Sequence, residues 1–272
     1  METIANKTVS MKYLEKYERY AKKKFGQNFI IDPSVVKTIA RHSGQGPLVL
    51  EIGPGLGALT QQLALNYDKV IAYEIDEHMV EILKESLEGL DNVDVHLEDF
   101  LKADIEYLKG TPLDVCANLP YYITTPLLFR LMELDVNHMT LMVQKEIGDR
   151  LSAKPGTKDY NALSIQIQYY FDVSIAMRVS KESFHPRPQV ESIVVNLKPT
   201  DNTMSYDEKA FFEFLRACFQ FRRKTLLNNL KTLNDTTDFK KVLEDLGYEA
   251  NIRADYLLLD DFLKIYGAIY DA

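Results

Sequence analysis

The segment Leu48-Val49-Leu50-Glu51-Ile52-Gly53-Pro54-Gly55-Leu56-Gly57 passes from an apolar run of strand length straight into three glycines at alternate positions. A helical pattern, Leu59 to Leu65, follows at once. Strand, glycine-rich turn and helix in that order form a place where backbone without Cβ atoms can approach a nucleotide-like ligand. A tight turn with no ligand also uses glycine, so the turn alone leaves both readings open. Its spacing is GxGxG and not the GxGxxG of dinucleotide binders. It also opens with Glu51, whose carboxylate would repel a pyrophosphate and suit a cationic ligand.

Working outward, further apolar runs at Val70–Ile75, Val93–Leu97, Leu113–Ala117 and Met139–Val143 alternate with helical patterns at Pro33–Arg41, Glu77–Leu87 and Pro126–Leu134. Alternation of this kind predicts a doubly wound α/β core, a Rossmann-like parallel sheet covered by helices. Two longer strand-like stretches follow, Leu163–Met177 and Val190–Leu197, joined by a proline-containing loop with no crossover helix. They predict an antiparallel pair at the sheet edge. Beyond Pro199 a polar stretch leads to helix-period segments at Glu208–Phe219, Arg222–Leu230, Phe239–Leu246 and Asp255–Tyr266. The expected organisation is therefore residues 1–199 as a ligand-binding α/β domain with an N-terminal extension, and 200–272 as a small all-helical domain.

With 46% apolar and 26% charged residues, the 272-residue chain has enough material for a substantial core. Cys116 and Cys218 stand far apart, and neither they nor His42, His78, His96 and His138 show ligand spacing, so disulfide and metal chemistry are not expected. The N-terminal stretch is polar, with no run of apolar residues suited to a signal or a membrane span, and the expectation is a cytoplasmic monomer without membrane contact. A formal net charge of −8 argues against nucleic-acid binding when averaged over the chain. The charge is polarised, however. Glu74 to Glu106 holds twelve acidic residues against two basic ones, whereas Arg216 to Lys231 holds five basic residues and no acidic one.

Three acids fall at or near the ends of successive strands. Glu74 is placed to accept hydrogen bonds from ribose hydroxyls, and Asp99 from an adenine amine, at the edge where open α/β sheets bind ligands. Together with Glu51 and the glycine loop they favour S-adenosylmethionine, which carries a sulfonium and an ammonium and no phosphate. After the fourth strand comes Asn118-Leu119-Pro120-Tyr121. An adenine amine is a poor nucleophile because its lone pair is delocalised into the ring. Two acceptors aimed at its N–H bonds, the Asn118 side chain and the Pro120 carbonyl, would favour a pyramidal nitrogen and stabilise the positive charge that develops there. Tyr121 offers a face on which a flipped-out base can stack, and Phe184 is a candidate for closing the opposite face.

At these residues the sequence resembles the KsgA (RsmA) family of ribosomal RNA adenine dimethyltransferases. The matching strings are Phe25-Gly26-Gln27-Asn28-Phe29, Glu51 to Gly57, Asn118 to Thr125, Gln144-Lys145-Glu146, Phe184 to Pro188 and Arg222-Arg223-Lys224-Thr225-Leu226. The resemblance implies dimethylation of two adjacent adenosines in a hairpin near the 3′ end of small-subunit rRNA, with the small ribosomal subunit as partner. It implies cofactor contacts from Asn28, Ile30, Gly53, Gly55, Glu74, Asp99 and Asn118, with Ile30 standing where leucine is expected. Lys22, Lys23, Lys24, Arg222, Arg223 and Lys224 are the candidates for phosphate contacts. A large-subunit rRNA adenine dimethyltransferase and a non-catalytic assembly factor are the alternative readings.

Overall fold

The computed structural model describes residues 2–17, 27–233 and 236–270. Two compact units emerge, Met1–Gly148 with Ser174–Pro199, and Asp149–Val173 with Thr200–Ala272. In chain order the larger unit contains α1 (Lys7–Lys16), β1 (Phe29–Ile30), α2 (Pro33–Ser43), β2 (Gly46–Ile52), α3 (Thr60–Leu63), β3 (Tyr67–Glu74), α4 (Glu77–Ser86), β4 (Val93–Leu97), β5 (Leu113–Asn118), α5 (Thr124–Leu131) and β6 (Val136–Gln144). Next come α6 (Lys145–Leu151), α7 (Ala162–Tyr170), β7 (Phe171–Val179), β8 (Phe184–His185) and β9 (Ser192–Pro199). The chain continues through α8 (Glu208–Cys218), α9 (Leu226–Leu230), α10 (Phe239–Asp245) and α11 (Leu259–Tyr270).

The strands form a seven-stranded sheet in the order β4-β3-β2-β5-β6-β9-β7. Pairings from β4 through β6 are parallel, and β9 runs antiparallel to β6. The chain winds outward from β2 to β3 and β4, then returns to the other side of β2 as β5. That reversal separates the loops that follow β2 and β5, and it opens a crevice at their carboxyl ends. Val49, Leu50, Val70, Val115 and Leu141 are completely buried, as expected of strands covered on both faces. The covering helices start where their caps dictate. Asp32 accepts from Ser34 N ahead of Pro33, and Asp76 accepts from His78 N ahead of α4. In α4 the buried residues Met79, Ile82, Leu83 and Ser86 recur at helical spacing and face the sheet.

The structure differs from the sequence reading in three places. The run Leu163–Met177 is not one strand: its first part is α7, started by an Asn161–Ser164 capping box, and the strand begins at Phe171. Apolar residues on every side of that helix hide its period. The expected edge pair is present as β9 beside β7 at the edge of the sheet, and β9 also takes β6 as an antiparallel partner on its other side. The helix expected over Arg222–Leu230 starts only at Leu226, behind a Thr225 cap, which leaves Arg222, Arg223 and Lys224 in the preceding turn. The N-terminal extension contains α1, whose polar sequence gave no helical signal, and it is pinned to the core through Gln61. That side chain donates to Glu2 O at 2.9 Å and accepts from Ile4 N at 3.3 Å, beside a fully buried Ile4.

The smaller unit packs α8, α9, α10 and α11 around Phe211, Leu215, Leu226, Leu230 and Phe262, all fully buried. Asp149–Val173 belongs with it, so a single division at residue 199 leaves out α7, whose Ile165 and Tyr169 join this core. Both cysteines are free and buried, and burial pushes both thiols up. No helix among the described residues is long and apolar enough to cross a membrane.

Candidate active site

The glycine loop after β2 carries the backbone through three left-handed residues, Gly53 (φ 71°), Gly55 (φ 59°) and Gly57 (φ 88°), a conformation that side chains disfavour. Space enforces glycine as well. A Cβ on Gly57 would lie 2.9 Å from Leu87 Cδ2, and one on Gly55 would lie 3.3 Å from the Phe29 ring. The loop is tied to the next strand end: Gly53 N donates to Tyr73 O at 2.9 Å and Gly55 N to Glu74 Oε2 at 3.1 Å. Asp76 N donates to the other Glu74 oxygen at 2.9 Å. Burial pushes the Glu74 carboxyl up, while these backbone donors favour its ionised form.

A cleft lies over this loop, with about 820 Å³ of space counting the solvent at its mouth. Asn28, Gly53, Gly55, Glu74, Asp99, Asn118, Pro120 and Tyr121 all line it, so most of the residues expected to act together are brought together. Asp99 Oδ1 accepts from Leu101 N at 3.1 Å, and Lys102 Nζ lies 3.6 Å from Oδ2. Asn118 is the last residue of β5, and the Tyr121–Ile123 turn that follows it leads into α5. The Tyr121 hydroxyl shares a 2.6 Å hydrogen bond with Ser192 Oγ, and burial pushes the phenol up.

Four expected roles change. Glu51 does not line the cleft; it is 1% exposed, its Oε2 has no well-formed hydrogen bond, and burial raises its carboxyl to about 8. Near neutrality it is a neutral acid behind the loop, not the carboxylate expected to face a cation. Ile30 and Phe184 pair with each other across β1 and β8, and both sit in the apolar cluster with Val36 and Val179. Neither lines the cleft, because their short strands turn these apolar side chains to the core. The Pro120 carbonyl already accepts from Ile123 N at 3.2 Å and Thr124 Oγ1 at 3.0 Å, which occupies both its lone pairs. By contrast, no described group donates to the Leu119 carbonyl, although Leu119 lines the cleft.

The sequence reading missed Ile75, Phe100 and Tyr122. Ile75 is 45% exposed and Tyr122 55%, both at the cleft. The signal was present: Ile75 and Phe100 are apolar residues directly after Glu74 and Asp99, suited to holding a flat heterocycle beside the acids. Lys22, Lys23 and Lys24, with Phe25 and Gly26, lie outside the described residues. In the helical unit Arg222, Arg223 and Lys224 are exposed on the turn between α8 and α9. Asn229, itself buried, fixes that turn by accepting from Phe221 N at 2.8 Å. Among the described residues, no group of three or more His, Cys, Asp or Glu side chains could hold a metal ion.

Residues 19–271 match the family model described as ribosomal RNA adenine dimethylase. A ribosomal RNA small subunit methyltransferase A from Bacillus cytotoxicus is 44% identical, with 99% of this chain and 98% of that protein covered. The protein of the same name from Bacillus mycoides is 43% identical at the same coverage. Among solved structures, a dimethyladenosine transferase from Plasmodium falciparum is 30% identical with a TM-score of 0.72, covering 87% of this chain and 95% of that one. The 23S rRNA methyltransferase ErmE shares the fold, with a TM-score of 0.70 at 23% identity over 89% of this chain and 99% of its own. The chain belongs to the ribosomal RNA adenine dimethylase family.

Proposed function

We propose that this protein transfers methyl groups from S-adenosylmethionine to the N6 atoms of two adjacent adenosines near the 3′ end of small-subunit rRNA, making dimethyladenosine. The observation that carries this reading is the placement of Asn118 in one cleft with Glu74 and the glycine loop. The names of the most similar relatives support the small subunit as substrate.

The cleft suits the proposed cofactor on its own chemistry. Glu74 accepts from Gly55 N of the loop on one carboxylate oxygen and from Asp76 N on the other, which leaves lone pairs for a pair of ribose hydroxyls. The Gly53 and Gly55 backbone allows close approach of the amino-acid end, and Ile75, Phe100 and Asp99 give a heterocycle apolar faces and a polar edge. When bound, S-adenosylmethionine supplies an electrophilic methyl group; the protein's own residues must present the amine. Asn118 Oδ1 and the Leu119 carbonyl accept from the two amine N–H bonds, so the nitrogen lone pair is freed from the ring and the growing positive charge is stabilised. This assignment replaces the Pro120 carbonyl, whose hydrogen bonds shape the turn. Tyr121 holds the face of the flipped base. The methylated nitrogen is acidic enough to release its proton to solvent, so no strong base is required. The helical unit contributes Arg222, Arg223 and Lys224 as phosphate contacts, from a stretch of the chain, Arg216 to Lys231, that holds no acidic residue. The protein works as a cytoplasmic monomer in this proposal.

The test is transfer of labelled methyl groups to undermethylated small subunits, large subunits and bare rRNA, followed by nucleoside analysis. Dimethyladenosine from small subunits is the expected product. Transfer to large subunits alone would favour the large-subunit alternative, and binding of RNA without any transfer would favour an assembly factor.

A further inference from the structure

Tyr121 and Ser192 are 71 positions apart in sequence, yet their hydroxyls lie 2.6 Å apart. Ser192 is completely buried and does not line the cleft, whereas Tyr121 does. The sheet delivers this contact. β9 begins at Ser192, and its antiparallel register sets Ser192 opposite Gln144, the last residue of β6. Two residues earlier on β6, Met142 is paired with Asn118 and accepts from Leu119 N at 3.0 Å. The first residue of β9 is thus fixed in the strand register that also fixes the Asn118-Leu119 acceptors. Tyr121 itself sits on a short turn whose other hydrogen bonds are local ones from Ile123 N and Thr124 Oγ1 to the Pro120 carbonyl. The hydroxyl of the half-buried ring is held from across the sheet by Ser192.

We infer that Ser192 is a positioning residue for methyl transfer: its hydroxyl anchors the Tyr121 hydroxyl inside the protein, so that the ring presents a fixed face to the reacting adenine. The inference rests on the reading of this cleft as the base site. A ring held at both its Cβ and its hydroxyl end loses little freedom when the base stacks on it, which is the advantage of a prearranged site. The hydroxyl contributes through Ser192 and not through the base.

Kinetics of the full-length protein on undermethylated small subunits test this. Ser192→Ala and Tyr121→Phe each remove one end of the tether and keep the ring. Each is expected to lower kcat/KM for the RNA substrate by roughly three- to tenfold, in line with loss of one buried hydrogen bond, with S-adenosylmethionine affinity unchanged. The double variant is expected to be no worse than either single one, because both remove the same interaction. Additive losses, wild-type kinetics in Ser192→Ala, or an equal loss of cofactor affinity would each overturn the inference. Failure of the wild-type protein to methylate any rRNA would count against the proposed function instead. Tyrosine-ring NMR without substrate then still decides the tether: faster Tyr121 ring motion in Ser192→Ala supports it, and an unchanged ring signal overturns it.

Discussion

Replacing Glu51 by Gln should flatten part of the protein's pH–stability profile. Glu51 is 1% exposed and its carboxyl is raised from an ordinary 4.5 to about 8 by burial, which outweighs the opposing effect of the Thr60 hydroxyl and is helped by a lesser push from the Glu74 charge. Because its value in the folded protein lies above that in the unfolded chain, its stabilising contribution is complete below about pH 4.5 and is lost progressively as pH rises through about 8. Between pH 5.5 and 7.5 the unfolded chain has released this proton and most of the folded protein has not. Wild type should therefore lose about 1.4 kcal/mol per pH unit relative to Glu51→Gln, or about 2.5 kcal/mol across that window. Every other titrating group is common to both proteins and cancels in the difference. Urea unfolding of both proteins at pH 5.5, 6.5 and 7.5, without ligand, measures it. Parallel pH profiles would refute the reasoning, since they would mean that Glu51 is ionised in the folded protein.

Asn118→Ala should reduce methyl-transfer turnover by about a hundredfold or more, with little change in RNA affinity, because it removes an acceptor needed chiefly in the transition state; single-turnover kinetics and RNA titration separate the two. Glu74→Ala should raise the S-adenosylmethionine dissociation constant by at least about tenfold, as it removes a charged acceptor and releases Gly55 N, and calorimetry reads this directly. Gly57→Ala should destabilise the fold by about 2 kcal/mol in chemical denaturation, given its positive φ and a Cβ only 2.9 Å from Leu87 Cδ2. Replacing Arg222, Arg223 and Lys224 together by Ala should weaken RNA binding and reduce the slope of log affinity against log salt by about two to three, measured by filter binding over a salt series.

Much of this protein is legible in one dimension because its chemistry hangs on strand ends. Buried parallel strands read as short apolar runs, so Leu48–Ile52 and Leu113–Ala117 mark themselves, the half-exposed edge strand Val93–Leu97 keeps apolar residues at alternate positions, and the residues that follow each run must meet at one edge of the sheet. Gly53, Glu74, Asp99 and Asn118 could therefore be placed in a common site from order alone, and the cleft contains all four. The α7 segment was hidden because a helix apolar on several faces has no period to show. Ile75 and Phe100 were overlooked because an apolar residue beside an acid looks like ordinary core; Ile75 is in fact 45% exposed, and Phe100, though buried, lines the cleft.

The sequence by itself determined the parallel strands of the core and the helices between them, the glycine loop and the set of polar groups that meet at the strand ends, because these follow from local periodicity and from residue types with few conformational alternatives. Only the tertiary structure decided which of those groups are free to act. It took Glu51, Ile30 and Phe184 out of the cleft by burial, and it occupied the Pro120 carbonyl and left that of Leu119 open. It also joined Tyr121 to Ser192 across the sheet. Solvent exposure and hydrogen-bond occupancy depend on segments distant in the chain, and no local pattern encodes them.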